Sequence, residues 1–367
     1  MPPVQAVPGT LHLNTERGFR GGEIQALGLV DRLQATDRPA LLLAQPGSPL
    51  LEKALQKGLH AEPWHSRGEL DLAAAFRLSR IYKRRSPKIV HAHTAHALTL
   101  AILARGRSHL PAVVASRRVS FPLRSRFSRI KYRRADAVVA VSREIADSLL
   151  KSGLDPERVH VIHSGVDLTR FSSLPDRVSV MKSLGIENRF PVVGAVGALV
   201  PHKGHGILID ALAKVQAASP AAAAVIVGDG PLRSDLENAA AGLSIPVIFT
   251  GSVPDPASIF PALDVLALPS VSGEGSPAVI KEAAAAGVPV AAADVGGTAE
   301  ILRHGREALL VPPGDPEALA RALILLSSDP ALARRLSESA RDRVKAFSLG
   351  TMAEATWSLY IDLLKKI

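Results

Sequence analysis

The chain has 367 residues, of which 47% are hydrophobic and 21% charged, and it carries a formal net charge of +10 with no cysteine. This length and apolar content suit about two globular domains of roughly 150 residues each, and they exclude a disordered chain or a collagen-like repeat. Because cysteine is absent, disulfides, thiol catalysis and metal or iron–sulfur sites with Cys ligands are excluded as well.

In the first half of the chain, short apolar runs alternate with longer amphipathic stretches, a pattern that favours parallel βαβ units. Strands are predicted at residues 11–14, 40–43, 89–93, 112–116, 137–141 and 159–163. Helices are predicted between them at residues 22–32, 70–84, 95–105 and 143–151.

The second half repeats this alternation. Strands are predicted at residues 192–196, 223–227, 247–250, 265–268, 290–292 and 308–311. Helices are predicted at residues 206–217, 231–240, 259–262, 276–286, 298–303, 317–326, 331–347 and 349–367. We therefore expect an α/β protein with two doubly wound domains, residues 1–175 and 176–347, facing a central cleft. The last helix, residues 348–367, is expected to cross back to the first domain. Ligands of such sheets bind at the carboxyl ends of the strands.

Neither membrane insertion nor export is indicated by the sequence. The longest apolar runs, such as residues 192–200, are far shorter than the ~20 residues of a membrane-spanning helix. Residues 1–10 have neither the basic start nor the apolar core of a signal peptide. We therefore expect a cytoplasmic protein.

The positive charge is concentrated in the first half. Residues 1–170 contain 27 Lys and Arg against 14 Asp and Glu, a net charge of +13, whereas residues 171–367 have a net charge of −3. Residues 117–134 contain eight basic residues and no acidic one. This asymmetry favours an anionic partner, such as a membrane surface or a phosphorylated acceptor, over the alternative of a solvated helix face. The segment has three aromatic residues and no base-reading module, so nucleic acid is not expected.

The motif with the clearest chemistry is Glu274-Gly275-Ser276-Pro277, with Glu282 eight positions after Glu274. Ser276 is predicted to cap a helix that has Pro277 in its first turn. The free N–H groups of such a helix start bind anions, and two nearby carboxylates can accept hydrogen bonds from sugar hydroxyls. The alternative is that both glutamates are ordinary turn and helix residues.

Lys203 follows a predicted strand and lies in a glycine-bounded loop, where it could neutralise a phosphate. The alternative is an ordinary surface lysine. The residues required for a Walker loop or a complete G-x-G-x-x-G motif are not present, which argues against ATP or NAD.

Two further groups of residues lie at the ends of predicted strands of the first half or after them. Gly21 and Gly22 would allow the backbone to approach a ligand closely. His91 and His93 share one face of a strand, where a role in polar contact or proton transfer and a buried structural role remain open. Zinc is not expected, because no cysteine or convincing carboxylate ligand accompanies them, and the sequence has no Asp-x-Asp pair for a divalent metal.

Taken in order along nearly the whole chain, these motifs resemble family 4 of the group 1 glycosyltransferases, which are retaining enzymes with the GT-B fold. The resemblance includes Gly21-Gly22, the strand end at residues 90–93 and the loop at residues 197–204. Its most specific part is the pair Glu274 and Glu282, followed by Ala-x-Gly-x-Pro-Val at residues 285–290.

The resemblance implies a role for each residue of the second half. Lys203 would hold the donor diphosphate with the backbone N–H groups of Gly275 and Ser276. Glu282 would bind the ribose hydroxyls of the nucleotide, and Glu274 would bind the transferred sugar. Lys203, Glu274 and His93 are the expected catalytic residues.

In the first half, His93 would lie beside the sugar and the acceptor, and Gly21 and Gly22 would border the donor phosphate. The chain departs from the family at Ala198, where an arginine that serves as a second phosphate cation is usual. Arg117 or Arg118 could replace that cation from the other domain.

The implied activity is transfer of a hexose from a UDP-, GDP- or ADP-linked donor to a glycan or lipid-linked acceptor, with retention of configuration and without metal or other cofactor. A place in lipopolysaccharide or other cell-envelope glycan synthesis is expected, with the protein peripheral at the inner face of the plasma membrane. Contacts with acceptor or membrane are expected from Arg117, Arg118, Arg124 and Arg126. The alternatives are a nucleotide-sugar epimerase or hydrolase on the same fold, and a non-catalytic protein that binds anionic membranes.

Overall fold

The computed structural model describes residues 9–366, which form two compact units. Residues 9–165 together with 349–366 make the first unit, and residues 166–348 make the second. The expectation about a signal peptide at residues 1–10 therefore lies almost wholly outside the described residues. The division falls at 165/166, whereas the sequence analysis placed it at 175/176. Residues after 165 belong to the second unit because Val166 pairs with Ser348 and Arg170 forms an ion pair with Asp255.

The first unit is a seven-stranded parallel sheet covered by helices, in the order β3-β2-β1-β4-β5-β6-β7. Its strands are β1 (Thr10–Leu13), β2 (Ala40–Ala44), β3 (Ala61–Pro63), β4 (Ile89–Ala92), β5 (Ala112–Arg117), β6 (Ala137–Ala140) and β7 (Val159–Val161). Its helices are α1 (Gly21–Gln34), α2 (Pro49–Gln56), α3 (Leu72–Arg85), α4 (Ala95–Arg105), α5 (Arg126–Arg133), α6 (Arg143–Lys151) and the last helix of the chain, α14 (Leu349–Lys366).

Both faces of this sheet are buried, since its strands are almost continuous apolar runs. One apolar cluster joins the sheet to α3, α4 and α6, and the other joins it to α1, α2 and α14. Helix α14 approaches α1 closely at Gly28, where a Cβ atom would lie 2.7 Å from Cδ2 of Leu349. The end of the chain is thus part of the first unit's core, with Tyr360 fully buried.

The second unit is a six-stranded parallel sheet in the order β10-β9-β8-β11-β12-β13. Its strands are β8 (Val192–Val196), β9 (Ala223–Val227), β10 (Val247–Gly251), β11 (Val265–Leu268), β12 (Val290–Ala293) and β13 (Leu309–Val311). Its helices are α7 (Arg177–Ser183), α8 (His205–Ala218), α9 (Arg233–Ala240), α10 (Ala278–Ala286), α11 (Thr298–Ile301), α12 (Pro316–Ser328) and α13 (Pro330–Val344).

The predicted α/β alternation is confirmed, and every predicted strand is present. The elements that the sequence analysis missed are short or strongly polar: β3, α2, α5 and α7. Residues 259–262, predicted as a helix, belong to the 3-10 helix Pro256–Ala262. Pro261 inside it lacks the N–H group that an α-helix would need there.

Each sheet has one point where the order of strands reverses, between β1 and β4 in the first unit and between β8 and β11 in the second. The loops after such a pair of strands lead away in opposite directions and leave room for a ligand at the carboxyl edge. Gly21 and His93 follow β1 and β4, and Lys203 and Glu274 follow β8 and β11. The residues selected from the sequence therefore lie at these two switch points.

Candidate active site

Lys203 and Glu274 form an ion pair at the switch point of the second unit, in which the glutamate is buried and the lysine side chain is 26% exposed. Lys203 ends the 3-10 turn Pro201–Lys203, and its Nζ donates to Oε1 of Glu274 at 2.6 Å. The same oxygen accepts from Oγ of Ser270 at 2.5 Å. Glu274 is only 4% exposed. Two residues that the sequence analysis selected separately thus lie in direct contact.

Two glycines allow the loops around this pair to pack closely. Gly204 has a φ of +67°, and a Cβ there would lie 2.1 Å from the carbonyl oxygen of Pro269. Gly228 has a φ of +139°, and its Cβ would lie 1.9 Å from the carbonyl oxygen of Gly197. Since both contacts are with backbone atoms, neither position has room for a side chain. This packing places Lys203 beside the loop that follows β11.

The start of α10 differs from the prediction. Ser276 does not cap the helix, which begins at Ala278, and Pro277 at the N-cap position makes no side-chain hydrogen bond. The hydroxyl of Ser276 instead accepts from Nζ of Lys281 at 2.7 Å. No side chain of residues 9–366 therefore caps the first turn of α10, and Gly275 and Ser276 lie in the loop just before it.

Glu282 lies on α10 and is half-buried. Within residues 9–366 its carboxylate takes part in no hydrogen bond or ion pair. Burial raises its pKa, and the nearby charge of Asp255 acts in the same direction, whereas Arg170 and Lys281 oppose the shift. Such a carboxylate has hydrogen-bonding capacity to spare for the hydroxyl groups of a ligand.

Sequence reasoning missed His205, the first residue of α8. It is buried, and its ring nitrogens make no well-formed hydrogen bond in the described chain, although the backbone of Ala198 lies close to the ring. Burial lowers the pKa of His205 to about 4. A Cβ atom placed on Gly197 would lie 4.0 Å from Nε2 of His205 and 4.0 Å from Cδ of Lys203. The neutral ring therefore lies close to Gly197, in the loop that leads to Lys203.

In the first unit, Gly21 and Gly22 open helix α1 directly after the loop from β1. Glu23 behind them is buried and accepts from Nδ2 of Asn14 at 3.1 Å and from the backbone N–H of Arg20 at 3.0 Å. These bonds fix the loop that leads into α1. The two glycines leave the first two positions of α1 without side chains.

Three histidines form a buried cluster beside this loop. His12 on β1 lies opposite His91 on β4, and His93 follows β4. One ligand atom of each lies within 4.8 Å of the others, a spacing that could hold a metal ion. Burial lowers the pKa of His12 to about 3 and holds the pKa values of His91 and His93 well below the usual value. All three rings are therefore neutral at pH 7.

The hydrogen bonds of His93 and His12 run in one direction. Arginine can only donate, so Nδ1 of His93, 3.3 Å from Nη2 of Arg118, must be an acceptor, and Nε2 of the neutral ring carries the hydrogen. That N–H donates to Nδ1 of His12 at 3.1 Å, and Nε2–H of His12 donates to Oγ1 of Thr10 at 3.2 Å. Thr10 donates to the carbonyl of Pro39. Both ring nitrogens of His93 are occupied, so this geometry favours its structural role over proton transfer.

Arg118 is the cation held by this chain of bonds. It is half-buried at the end of β5, where Nη1 also donates to the carbonyl of His93 at 3.1 Å. Its Nε is buried with no hydrogen-bond partner in residues 9–366, and burial lowers the pKa of Arg118 to about 10. A Cβ atom placed on Gly22 would lie 3.9 Å from Cδ of Arg118. No carboxylate of the described chain forms an ion pair with Arg118, so its charge is available to an anion.

The basic segment 117–134 divides into two groups in the structure. Arg117 and Arg118 are half-buried, and Lys131 is buried in an ion pair with Glu69. Arg124 and Arg126 are exposed. The four basic residues that the sequence analysis assigned to an acceptor or a membrane therefore do not form one surface. Exposed apolar side chains lie next to the outward group: Phe121, Phe127 and Ile130.

Comparisons with known proteins give the same assignment for both units. Residues 190–329 match the family described as "Glycosyl transferases group 1", and residues 19–170 match "Glycosyltransferase Family 4". A D-inositol 3-phosphate glycosyltransferase of Rhodococcus opacus is 32% identical over 377 residues, which cover 98% of this chain and 78% of that protein. The enzyme of the same name from Streptomyces bingchenggensis is 33% identical over 245 residues, which cover 63% of this chain and 54% of that protein.

Among solved structures, Anabaena Alr3699/HepE in complex with UDP and glucose has a TM-score of 0.83 at 25% identity, covering 96% of this chain and 99% of that one. The glycosyltransferase class and the two Rossmann-like domains expected from the sequence are thereby confirmed. The chain belongs to family 4 of the group 1 glycosyltransferases and has the GT-B fold.

Proposed function

We propose that this protein transfers a hexose from a nucleotide-sugar donor to an anionic acceptor, with retention of configuration. The observation that carries the proposal is the site of the second unit, where the Lys203–Glu274 pair lies beside the uncapped start of α10. Glu282 on the same helix supplies a carboxylate that forms no hydrogen bond or ion pair within residues 9–366. The solved structure of Alr3699/HepE, named as a complex with UDP and glucose, supports a donor of this class.

The proposed mechanism follows from the charge that develops during transfer. When the bond between sugar and phosphate breaks, positive charge grows on the sugar ring and negative charge on the leaving diphosphate. Lys203 and the N–H groups at the start of α10 would stabilise the diphosphate without a metal. Glu274 would hold the sugar and oppose its positive charge. Attack by an acceptor hydroxyl from the face of the departing diphosphate, which would take up the hydroxyl proton, would retain the configuration.

Glu282 is proposed to accept hydrogen bonds from the ribose hydroxyls of the nucleotide. Its carboxylate has no hydrogen-bond or ion-pair partner among residues 9–366. Its pKa is raised because burial removes water from the carboxylate, and the nearby charges of Arg170 and Lys281 offset this effect only in part. In the first unit, Arg118 is proposed to bind an anionic group of the acceptor. His93 would act through Arg118, because its ring nitrogens already hold Arg118 and His12.

The test of this proposal is a thermal-shift panel with UDP, GDP and ADP and their glucose conjugates. One of the three nucleotides is expected to raise the melting temperature, because a ligand that binds only the folded state stabilises it by about 2.7 kcal/mol at 100 times its Kd. The preferred sugar nucleotide is then incubated with and without acceptors. Turnover that needs no acceptor would favour the epimerase or hydrolase alternative, and failure of all six compounds to bind would contradict the proposal.

Two acceptor classes follow from different observations. The basic first unit favours a glycan or lipid-linked acceptor of the cell envelope, such as one in lipopolysaccharide synthesis. The Rhodococcus and Streptomyces relatives are named for D-inositol 3-phosphate, so an inositol phosphate is the second candidate. If sugar is transferred to D-inositol 3-phosphate and not to lipid-linked glycans, the acceptor is an inositol phosphate. If sugar is transferred only to lipid-linked glycans, the acceptor is a glycan of the cell envelope.

We also propose that the protein binds the inner face of the plasma membrane through α5 and the loop before it. Arg124 and Arg126 would contact anionic headgroups, and Phe121 and Phe127, which are 68% and 45% exposed, would enter the interface. Among residues 9–366, no helix combines the length and apolar character needed to span a bilayer.

Vesicles of phosphatidylglycerol and phosphatidylcholine are therefore expected to bind the protein at low salt, and vesicles of phosphatidylcholine alone are not. The double variant with Arg126→Glu and Phe121→Ser is expected to bind at least tenfold more weakly, whereas Arg334→Glu on the exposed face of α13 is expected to bind as the wild type does. Equal binding by both variants, or no binding to the anionic vesicles, would assign the exposed arginines to another partner.

A further inference from the structure

A lysine lies fully inside the second unit, directly behind the proposed donor site. Lys281 is on the second turn of α10 and is 0% exposed. Side chains in a helix point back toward its N-terminus, so the amine of Lys281 reaches the loop before α10. There its Nζ donates to Oγ of Ser276 at 2.7 Å. The amine cannot touch a ligand, but it holds a residue of the loop that would.

The surroundings of Lys281 make both of its protonation states accessible near neutral pH. Burial lowers the pKa of Lys281 to about 7, and Glu282 opposes the shift. The ring of Phe347 lies 5.6 Å from Nζ and offers a weak cation–π contact. Burial makes the charged form of this amine costly in the free protein, because an ammonium inside the unit loses its hydration.

Charged groups lie on α10 and on the elements packed around it, and of these Glu282 acts on Lys281 directly. Glu282 lies on α10 itself, and Arg343 of α13 lies 5.6 Å from the same Phe347 ring. Arg170 and Asp255, which form an ion pair with each other, act on Glu282 from the other side. A bound diphosphate would add two or more negative charges near Ser276 to this set.

We infer that Lys281 is a positioning residue for the donor diphosphate: its protonated amine holds Ser276 in place for the anion, and binding of the anion draws a proton from solvent onto the amine. The inference rests on the proposed donor site. An anion near a lysine favours the charged form, so the pKa of the amine rises in the complex. By linkage, nucleotide affinity is then full below the free pKa of about 7 and is lost as pH rises toward the pKa of the complex.

The experiment is isothermal titration calorimetry with UDP, GDP or ADP, whichever binds most tightly, in Tris and in HEPES buffers at pH 8. The dependence of the heat on the buffer gives the number of protons taken up. The wild type is expected to take up about half a proton, and Lys281→Met none. Between pH 7 and 9, where the nucleotide's own phosphate (pKa about 6) no longer titrates, wild-type affinity is expected to fall about tenfold while that of Lys281→Met stays constant.

Lys182→Met, which removes an exposed lysine of α7 in the same unit, is the matched control and is expected to behave as the wild type does. Lys281→Met is expected to fold, because methionine fills a similar volume without a buried charge. The folded wild type binds the proton of Lys281 less tightly than the unfolded chain, so its stability rises from pH 7 to about 10. The increase in stability that comes from Lys281 is absent in Lys281→Met. A smaller increase in the variant than in the wild type verifies that the amine is buried in the wild type.

If the wild type binds a nucleotide without proton uptake, or if Lys281→Met keeps the uptake and the pH dependence, the inference is overturned while the proposed function stands. If none of the three nucleotides binds the wild type, the proposed function and this inference both fall.

Discussion

Replacing Lys203 by alanine is expected to lower kcat/KM for the sugar nucleotide more than tenfold while the protein stays folded. A hydrogen bond between charged groups contributes roughly 1.5–3 kcal/mol, which corresponds to a factor of about 10 to 150. The same substitution removes the Nζ that pairs with Glu274, so the buried carboxylate keeps Ser270 as its hydrogen-bonding side chain. The loss therefore affects both the leaving diphosphate and the residue proposed to hold the sugar.

The matched control is Lys214→Ala, which removes a lysine of α8 whose ion pair with Glu317 lies at the surface. It is expected to leave kcat/KM unchanged, since exposed ion pairs contribute little. Steady-state kinetics and the Kd of the nucleotide, with melting temperatures as a check of folding, measure the difference. Wild-type activity in Lys203→Ala would remove this residue from the proposed site.

Replacing Glu282 by alanine is expected to weaken use of the donor more than tenfold, mainly as a higher KM. The carboxylate is half-buried, is unpaired in the described chain, and lies on the helix that begins at the proposed diphosphate site. Loss of a hydrogen bond inside a binding site is costly, because the group that remains has no partner there. In Glu282→Ala the ribose hydroxyls of the bound nucleotide would lose their acceptor. UDP, or whichever nucleotide the panel identifies, should bind Glu282→Ala correspondingly more weakly.

Stability separates this role from a structural one. The pKa of Glu282 is raised in the folded state, so the folded protein loses stability as pH rises through that pKa, and the cost is present at pH 7. Glu282→Gln is therefore expected to melt at the same or a higher temperature than the wild type at pH 7. A variant that melts lower and retains its donor affinity would show that Glu282 serves the fold.

The sequence predicted the framework of this protein well. Strands β8, β9 and β11 and helices α4 and α6 have the predicted bounds, because these segments are apolar runs or amphipathic stretches with clear ends. The residues that follow the central strands could also be predicted to lie near one another, since parallel strands of a doubly wound sheet end at one edge. Lys203 and Glu274 are 71 positions apart and meet there.

Other features of the sites could not be predicted from local pattern. Ser276 has the residue type and position of an N-cap, but its hydroxyl is held by Lys281, and the helix begins two residues later. A lysine in a helix is exposed in most proteins, and no local signal marks Lys281 as buried. The sequence shows that residues 117–134 contain eight basic residues, but not which of them are exposed. In the structure, α5 directs some of them outward and buries Lys131.

The fold class, the family and the residues at the strand ends could be predicted from the amino-acid sequence, because these depend on hydropathy periodicity and on short motifs. Which of those residues carry a charge that is not in an ion pair depends on the folded chain. Within residues 9–366, Glu274 forms an ion pair with Lys203, Glu282 and Arg118 form none, and the ring of His93 is hydrogen-bonded to Arg118 and His12. The physical reason is that burial and hydrogen-bond partners come from segments far apart in the chain. They set the pKa and the binding capacity of each side chain.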